Sequence, residues 1–148
     1  MKTKIRDLLH TKPASIVSVK PDNSVHEAIQ TMVNHNIGSV LVINEEQELL
    51  GIFTERDILK QCVRRSDQLK TTKVDSVMTT DLIIAFPDDT VEYLISIMTT
   101  NKIRHIPILM DNKILGVVSI GDLVKSQMKD IEIENHYLKD YITGRYPG

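Results

Sequence analysis

Apolar positions along the chain follow two rhythms. Val25, Ala28, Ile29, Met32 and Val33 fall at i, i+3, i+4, i+7 and i+8, the stripe of an amphipathic helix. Ser24 and Glu27 stand at its start with the spacing of a capping box. Val91, Leu94, Ile95 and Met98 repeat the stripe. After each helix come short β-rich runs. Residues 39–43 and 49–53 flank the polar turn 44–48, and residues 106–110 and 114–119 flank Asp111-Asn112-Lys113, so each pair predicts a β-hairpin. Second helices are predicted over 55–63 and 121–128, and extended segments over 16–19 and 82–85. Residues 1–9 read as a short leading helix and 131–141 as a charged, partly apolar tail helix.

The two sets of elements are copies. Pro21-Asp22, Val25, Met32 and Ile37 recur as Pro87-Asp88, Val91, Met98 and Ile103, at an offset of 66. Gly51, Thr54, Asp57 and Leu59 meet Gly116, Ser119, Asp122 and Val124 at 65, so the second copy has lost one residue in the hairpin turn, where length changes are tolerated. The expected organisation is a first repeat with its leading helix over 1–63, a polar linker over 64–74, a second repeat over 75–128, and a tail over 129–148. Each repeat runs strand, helix, strand, strand, helix, which makes the fold class α+β.

Composition narrows the function classes. The 148 residues are 41% hydrophobic and 26% charged, as in an ordinary globular protein that needs no disulfide staples. A net charge of −2, no Trp and 4% aromatics argue against a nucleic-acid surface. The single cysteine, the absence of an apolar leader at the N-terminus and the lack of any run approaching about 18 apolar residues lead to the expectation of a soluble, cytoplasmic protein without membrane contact. No His pairs with another His or Cys at metal-ligand spacing, and no glycine-rich phosphate loop occurs, so no catalytic residue, metal site or obligatory cofactor is expected. Cys62 precedes Val63-Arg64-Arg65 but sits in the apolar run of a helix, where an inert buried thiol is expected. The six methionines read as packing residues.

Several linked motifs resemble the tandem cystathionine-β-synthase (CBS) repeat family. They are Val-x-Pro-Asp before a helix, Ile-Gly-Ser-Val-Leu-Val-Ile at 37–43, Gly-Ile-Phe-Thr-Glu-Arg-Asp-Ile-Leu at 51–59, and the second copies Ile-Arg-His-Ile-Pro-Ile at 103–108 and Gly-Val-Val-Ser-Ile-Gly-Asp-Leu-Val at 116–124. The resemblance covers roughly residues 5–125, and the tail over 134–142 looks like that of a stand-alone bacterial and organellar subgroup. It implies two repeats packed sheet to sheet about a pseudo-two-fold axis, ligand clefts between them, and homodimers. The ligands it implies contain adenosine: AMP, ADP, ATP, S-adenosylmethionine or a nicotinamide dinucleotide.

Thr54 and Asp57, repeated as Ser119 and Asp122, stand between a strand and a helix. A carboxylate there can accept hydrogen bonds from both hydroxyls of a ribose, and the same spacing is a helix capping box; the two roles can coexist, since a carboxylate has lone pairs to share. By the resemblance, Arg104 and His105 face the cleft, where an arginine can hold a phosphate through two parallel bonds and a histidine can add another. Their first-copy counterparts, Gly38 and Ser39, carry no charge, so the phosphate end is asymmetric. Arg56 is a phosphate candidate or a surface partner of Glu55 or Asp57, and Lys12 is a weaker candidate. Ile16, Val17, Ile37, Ile83, Ile106 and Pro107 are either adenine-pocket walls or plain core. The expected function is a regulatory adenine-nucleotide sensor that acts on a partner protein in trans. The rival is a structural, ligand-free interaction dimer.

Overall fold

The structure is a computed structural model that describes residues 2–11 and 16–129. Lys12 and the expected tail helix lie outside the described residues. Among the described residues two compact units form, one over 16–83 and the other combining 2–11 with 84–129. Each carries one β-α-β-β-α repeat built around a small sheet.

In the first unit, β1 (Ser18–Val19) runs parallel to β2 (Ser39–Ile43), and β2 pairs antiparallel with β3 (Leu49–Thr54). Helix α2 (Val25–His35) begins with the expected box: Ser24 Oγ accepts from Glu27 N at 3.0 Å, and Glu27 Oε1 accepts from Ser24 N at 3.1 Å. Its stripe buries Val25, Ala28 and Met32 against Val19, Val40, Val42 and Phe53. Val74, in a 3-10 turn over Val74–Ser76, joins this core with no exposure at all. Bonds from Val25 N to Thr72 O and from Val74 N to Asn23 O, both 2.8 Å, hold it there. Burying one such side chain is worth about 1.5–3 kcal/mol, so residues 72–74 are structural as well as connecting.

In the second unit α1 (Ile5–Thr11) occupies the matching place. Ile5 N donates to Asp89 O and Arg6 N to Pro87 O, both at 2.9 Å, and Val91 N donates to Thr3 O at 3.0 Å. Arg6 pairs with Asp88. Ile5 is fully buried, as Val74 is in the other unit, and each follows a lysine, Lys4 or Lys73. Each repeat is thus completed by the segment that precedes the other repeat in the chain. Helix α4 (Val91–Asn101), β4 (His105–Met110), β5 (Lys113–Ser119) and helix α5, described over 120–129, supply the remaining core, including Leu94, Met98, Ile106, Ile108, Val118 and Leu123. The hairpin turn places Asp111 and Asn112 at φ 52° and 62°, a left-handed pair suited to short polar residues.

Three expectations need correction. The extended segment over 82–85 forms a single bridge, Ala85 to Ile108, rather than a strand. Pro107 stands where Leu41 stands in the first repeat, and having no N–H it cannot make the bond that Leu41 N makes to Val17 O at 3.4 Å. Cys62 is exposed, not buried. Helix α3 (Glu55–Arg65) buries Asp57 and Gln61 and leaves Leu59 and Val63 at 68% and 87% exposure, so the thiol lies on the solvent face. Of the methionines, Met32 and Met98 are core, whereas Met110 and Met128 are half-exposed.

Candidate functional site

Each unit brings the start of one hairpin strand to the end of the other and to the first turn of the following helix. In the first unit Ser39 pairs with Thr54, and Glu55 N donates to Gly38 O at 3.1 Å. In the second, His105 pairs with Ser119, and Ile120 N donates to Arg104 O at 2.8 Å. Gly38 and Ser39 therefore adjoin Thr54 and Asp57, as Arg104 and His105 adjoin Ser119 and Asp122.

The helix-cap reading of both pairs is realised. Thr54 N donates to Asp57 Oδ2 at 3.0 Å, the Thr54 hydroxyl reaches the same oxygen at 3.2 Å, and Asp57 N donates back to Thr54 Oγ1 at 3.4 Å. Ser119 N donates to Asp122 Oδ2 at 2.8 Å, and Asp122 N to Ser119 Oγ at 3.2 Å. A cap of this kind uses only part of a carboxylate's accepting capacity, so it leaves a ligand role open.

Burial separates the two carboxylates. Asp57 retains 5% exposure, while Asp122 is half-buried. A buried carboxylate needs several hydrogen bonds to offset its lost hydration. Thr79 provides one that the sequence did not suggest: its hydroxyl reaches Asp57 Oδ1 at 3.1 Å and Oδ2 at 3.2 Å. Gln61, one helical turn beyond Asp57 on the same face, is buried at 3% exposure, and its Oε1 accepts no hydrogen bond among the described residues. Neither residue has a counterpart of its type in the other repeat, and the signal that could have found Gln61 is its i+4 spacing from Asp57.

The remaining candidates are dispersed. Arg56 and Arg104 are exposed, and Arg56 enters no ion pair among the described residues, so the proposed pairing with Glu55 or Asp57 is absent there. Ile16 and Ile37 are exposed at 39% and 37%, which removes the plain-core reading for both. Val17 and Ile83 are half-buried, whereas Ile106 and Pro107 are buried in β4. No group of three or more metal-ligating side chains occurs among the described residues, and no described helix is long and apolar enough to cross a membrane.

A family model described as the CBS domain matches residues 5–64 and again 74–129. A mitochondrial CBS domain-containing protein of Arabidopsis thaliana, CBSX3, is 39% identical over 129 residues, which are 84% of this chain and 63% of the relative, so the chain spans somewhat less than two thirds of that protein. The crystal structure of a CBS-domain containing protein from Agrobacterium tumefaciens superposes with a TM-score of 0.82 at 36% identity, covering 86% of this chain and 95% of the other. A CBS domain protein from Pyrobaculum aerophilum, complexed with AMP, has a TM-score of 0.71 at 23% identity over 80% of this chain and 88% of its own.

Proposed function

This chain belongs to the CBS domain family, and within that family we propose that it is a non-catalytic sensor of an adenine nucleotide. The observation that carries the reading is the repeated carboxylate at the head of the second helix of each repeat, Asp57 and Asp122, set beside the opening residues of a hairpin strand. In this reading each carboxylate accepts from the vicinal hydroxyls of a ribose. Arg104 and His105 beside Ser119 make the second site the one suited to a phosphate, while Gly38 and Ser39 leave the first site uncharged. The AMP bound by the Pyrobaculum protein supports the ligand class. A ligand that binds one conformation more tightly than another shifts the population toward it, and that shift is the signal. Its recipient is a partner protein, on which the module acts in trans.

A second reading, a self-associating module, is favoured by a separate observation and is compatible with the first. Helix α3 exposes Leu59 and Val63, and α5 exposes Val124 and Met128 at the equivalent positions, at 45% and 53%. An apolar pair repeated on the outer face of the same helix in both repeats suits a symmetric contact with a second copy.

Titration with AMP, ATP, NAD and S-adenosylmethionine, with GMP as the control, tests the sensor. Binding of an adenine compound that weakens in Asp57→Asn/Asp122→Asn is the expected result. A folded protein that binds none of them leaves the self-associating module as the function.

A further inference from the structure

Thr79 lies beyond α3, near the C-terminal end of the first unit, and its hydroxyl spans both carboxylate oxygens of Asp57, 22 residues away. A hydroxyl has one proton, so the two contacts share a single donor. Oδ2 also accepts from Thr54, but among the described residues Oδ1 has Thr79 alone. The carboxylate is buried, whereas Thr79 is exposed, so the donor reaches a buried acceptor from the surface.

The backbone around Thr79 explains how it is held. Thr79 N donates to Ile52 O at 2.8 Å, and Ile52 N donates to Thr79 O at 2.9 Å. This is an isolated bridge on β3, not a ladder. It forms because Gly51 has no side chain: a Cβ there would stand 2.6 Å from Met78 Sδ and 2.8 Å from Thr79 O. Two backbone bonds and one shared side-chain bond fix the residue, and no continuous strand must be broken to release it.

We infer that Thr79 is a latch on the Asp57 site, its hydroxyl standing where a ligand's vicinal diol would donate, so that ligand entry and release of the Thr79 segment are one event. The inference rests on the nucleotide reading above. A diol brings two protons, one for each oxygen, in place of one shared proton, so the exchange improves the hydrogen bonding of a buried anion. The released segment is the one that leads along the chain to residue 84, where the second unit resumes, which gives ligand binding a mechanical output at residues 77–80.

The test is an amide-resolved NMR titration with AMP of the full chain as wild type, Thr79→Val and Thr79→Ser. The amides of Thr54, Glu55 and Asp57 report this site, and those of Ser119 to Asp122 report the other. Valine keeps the shape of Thr79 and removes its proton, while serine keeps the proton. The latch predicts that AMP binds the first site about tenfold tighter in Thr79→Val, the worth of one hydrogen bond to a charged group that need not be given up. Thr79→Ser should behave as wild type. In wild type, AMP should also speed hydrogen exchange at the Thr79 and Ile52 amides. A first site that responds only in Thr79→Val would equally support the latch. Equal or weaker binding in Thr79→Val overturns it, because Thr79 then assists the ligand or ignores it. Response at residues 119–122 alone in every variant overturns the latch and leaves the nucleotide reading standing; no response at either site overturns both.

Discussion

Gly51 and Met78 touch so closely that a single added carbon at position 51 would overlap the methionine sulfur, at 2.6 Å. The contact links the sheet of the first unit to the segment that carries Thr79, and through Thr79 to the carboxylate of Asp57. Gly51→Ala should therefore act at a distance. The methionine can swing away, but Thr79 O, 2.8 Å from the new carbon, is backbone and must move with its bridge to Ile52. The expected cost is about 1–3 kcal/mol of stability, the range for overpacking a tight contact. Urea unfolding measures it, and faster amide exchange at Thr79 and Ile52 locates it.

Lys102 ends α4 in the left-handed region, at φ 55° and ψ 42°, where its counterpart in the first repeat is Asn36 at φ 53° and ψ 50°. Asparagine adopts that conformation at a smaller cost than lysine does. Lys102→Asn should raise stability by about 0.5–1 kcal/mol, seen as a higher urea midpoint at unchanged slope.

Glu27 gives the cap of α2 a pH dependence. The backbone N–H of Ser24, and after it the Ser24 hydroxyl, hold the Glu27 carboxyl below its ordinary value of 4.5. A carboxyl lowered in the folded state stabilises the fold fully above its unfolded value and loses that contribution as pH falls through the folded one. The stability advantage of wild type over Glu27→Gln should therefore be constant near neutrality and shrink below about 4.5. Unfolding midpoints for the pair, measured from pH 7 to pH 3, check the trend.

The outer face of α3 should matter to association and little to folding. Leu59→Asp with Val63→Asp alters side chains that are 68% and 87% exposed, so the stability of the isolated chain should change by no more than about 0.5 kcal/mol per site. Sedimentation across a concentration series should show the wild type as a dimer and the double variant as a monomer. A variant that still dimerises would place the contact elsewhere.

Local rules in the sequence were enough for the hairpins and for the capping boxes at Ser24, Thr54 and Ser119. Each depends on spacing within a few residues or on a repeat offset. What was not legible depends on contacts across the fold. Thr79 reaches Asp57 only because Gly51 lets its segment approach. Leu59, Cys62 and Val63 resemble a core stripe, but the sheet takes the opposite face of α3, with Asp57 and Gln61. Pro107 reads as an apolar wall in sequence, and its missing N–H showed its effect only once the neighbouring segment failed to become a strand.

The most direct measurement of the central claim is the thermal stability of the ligand-stripped protein against rising AMP, beside the Asp57→Asn/Asp122→Asn variant. A ligand held only by the folded state adds about 2.7 kcal/mol at a hundredfold excess over Kd. The sensor account predicts a progressive rise in Tm with AMP, no rise with GMP, and a lost or much reduced rise in the variant. An unchanged Tm for folded wild type at millimolar AMP, or an equal rise in the variant, would contradict it.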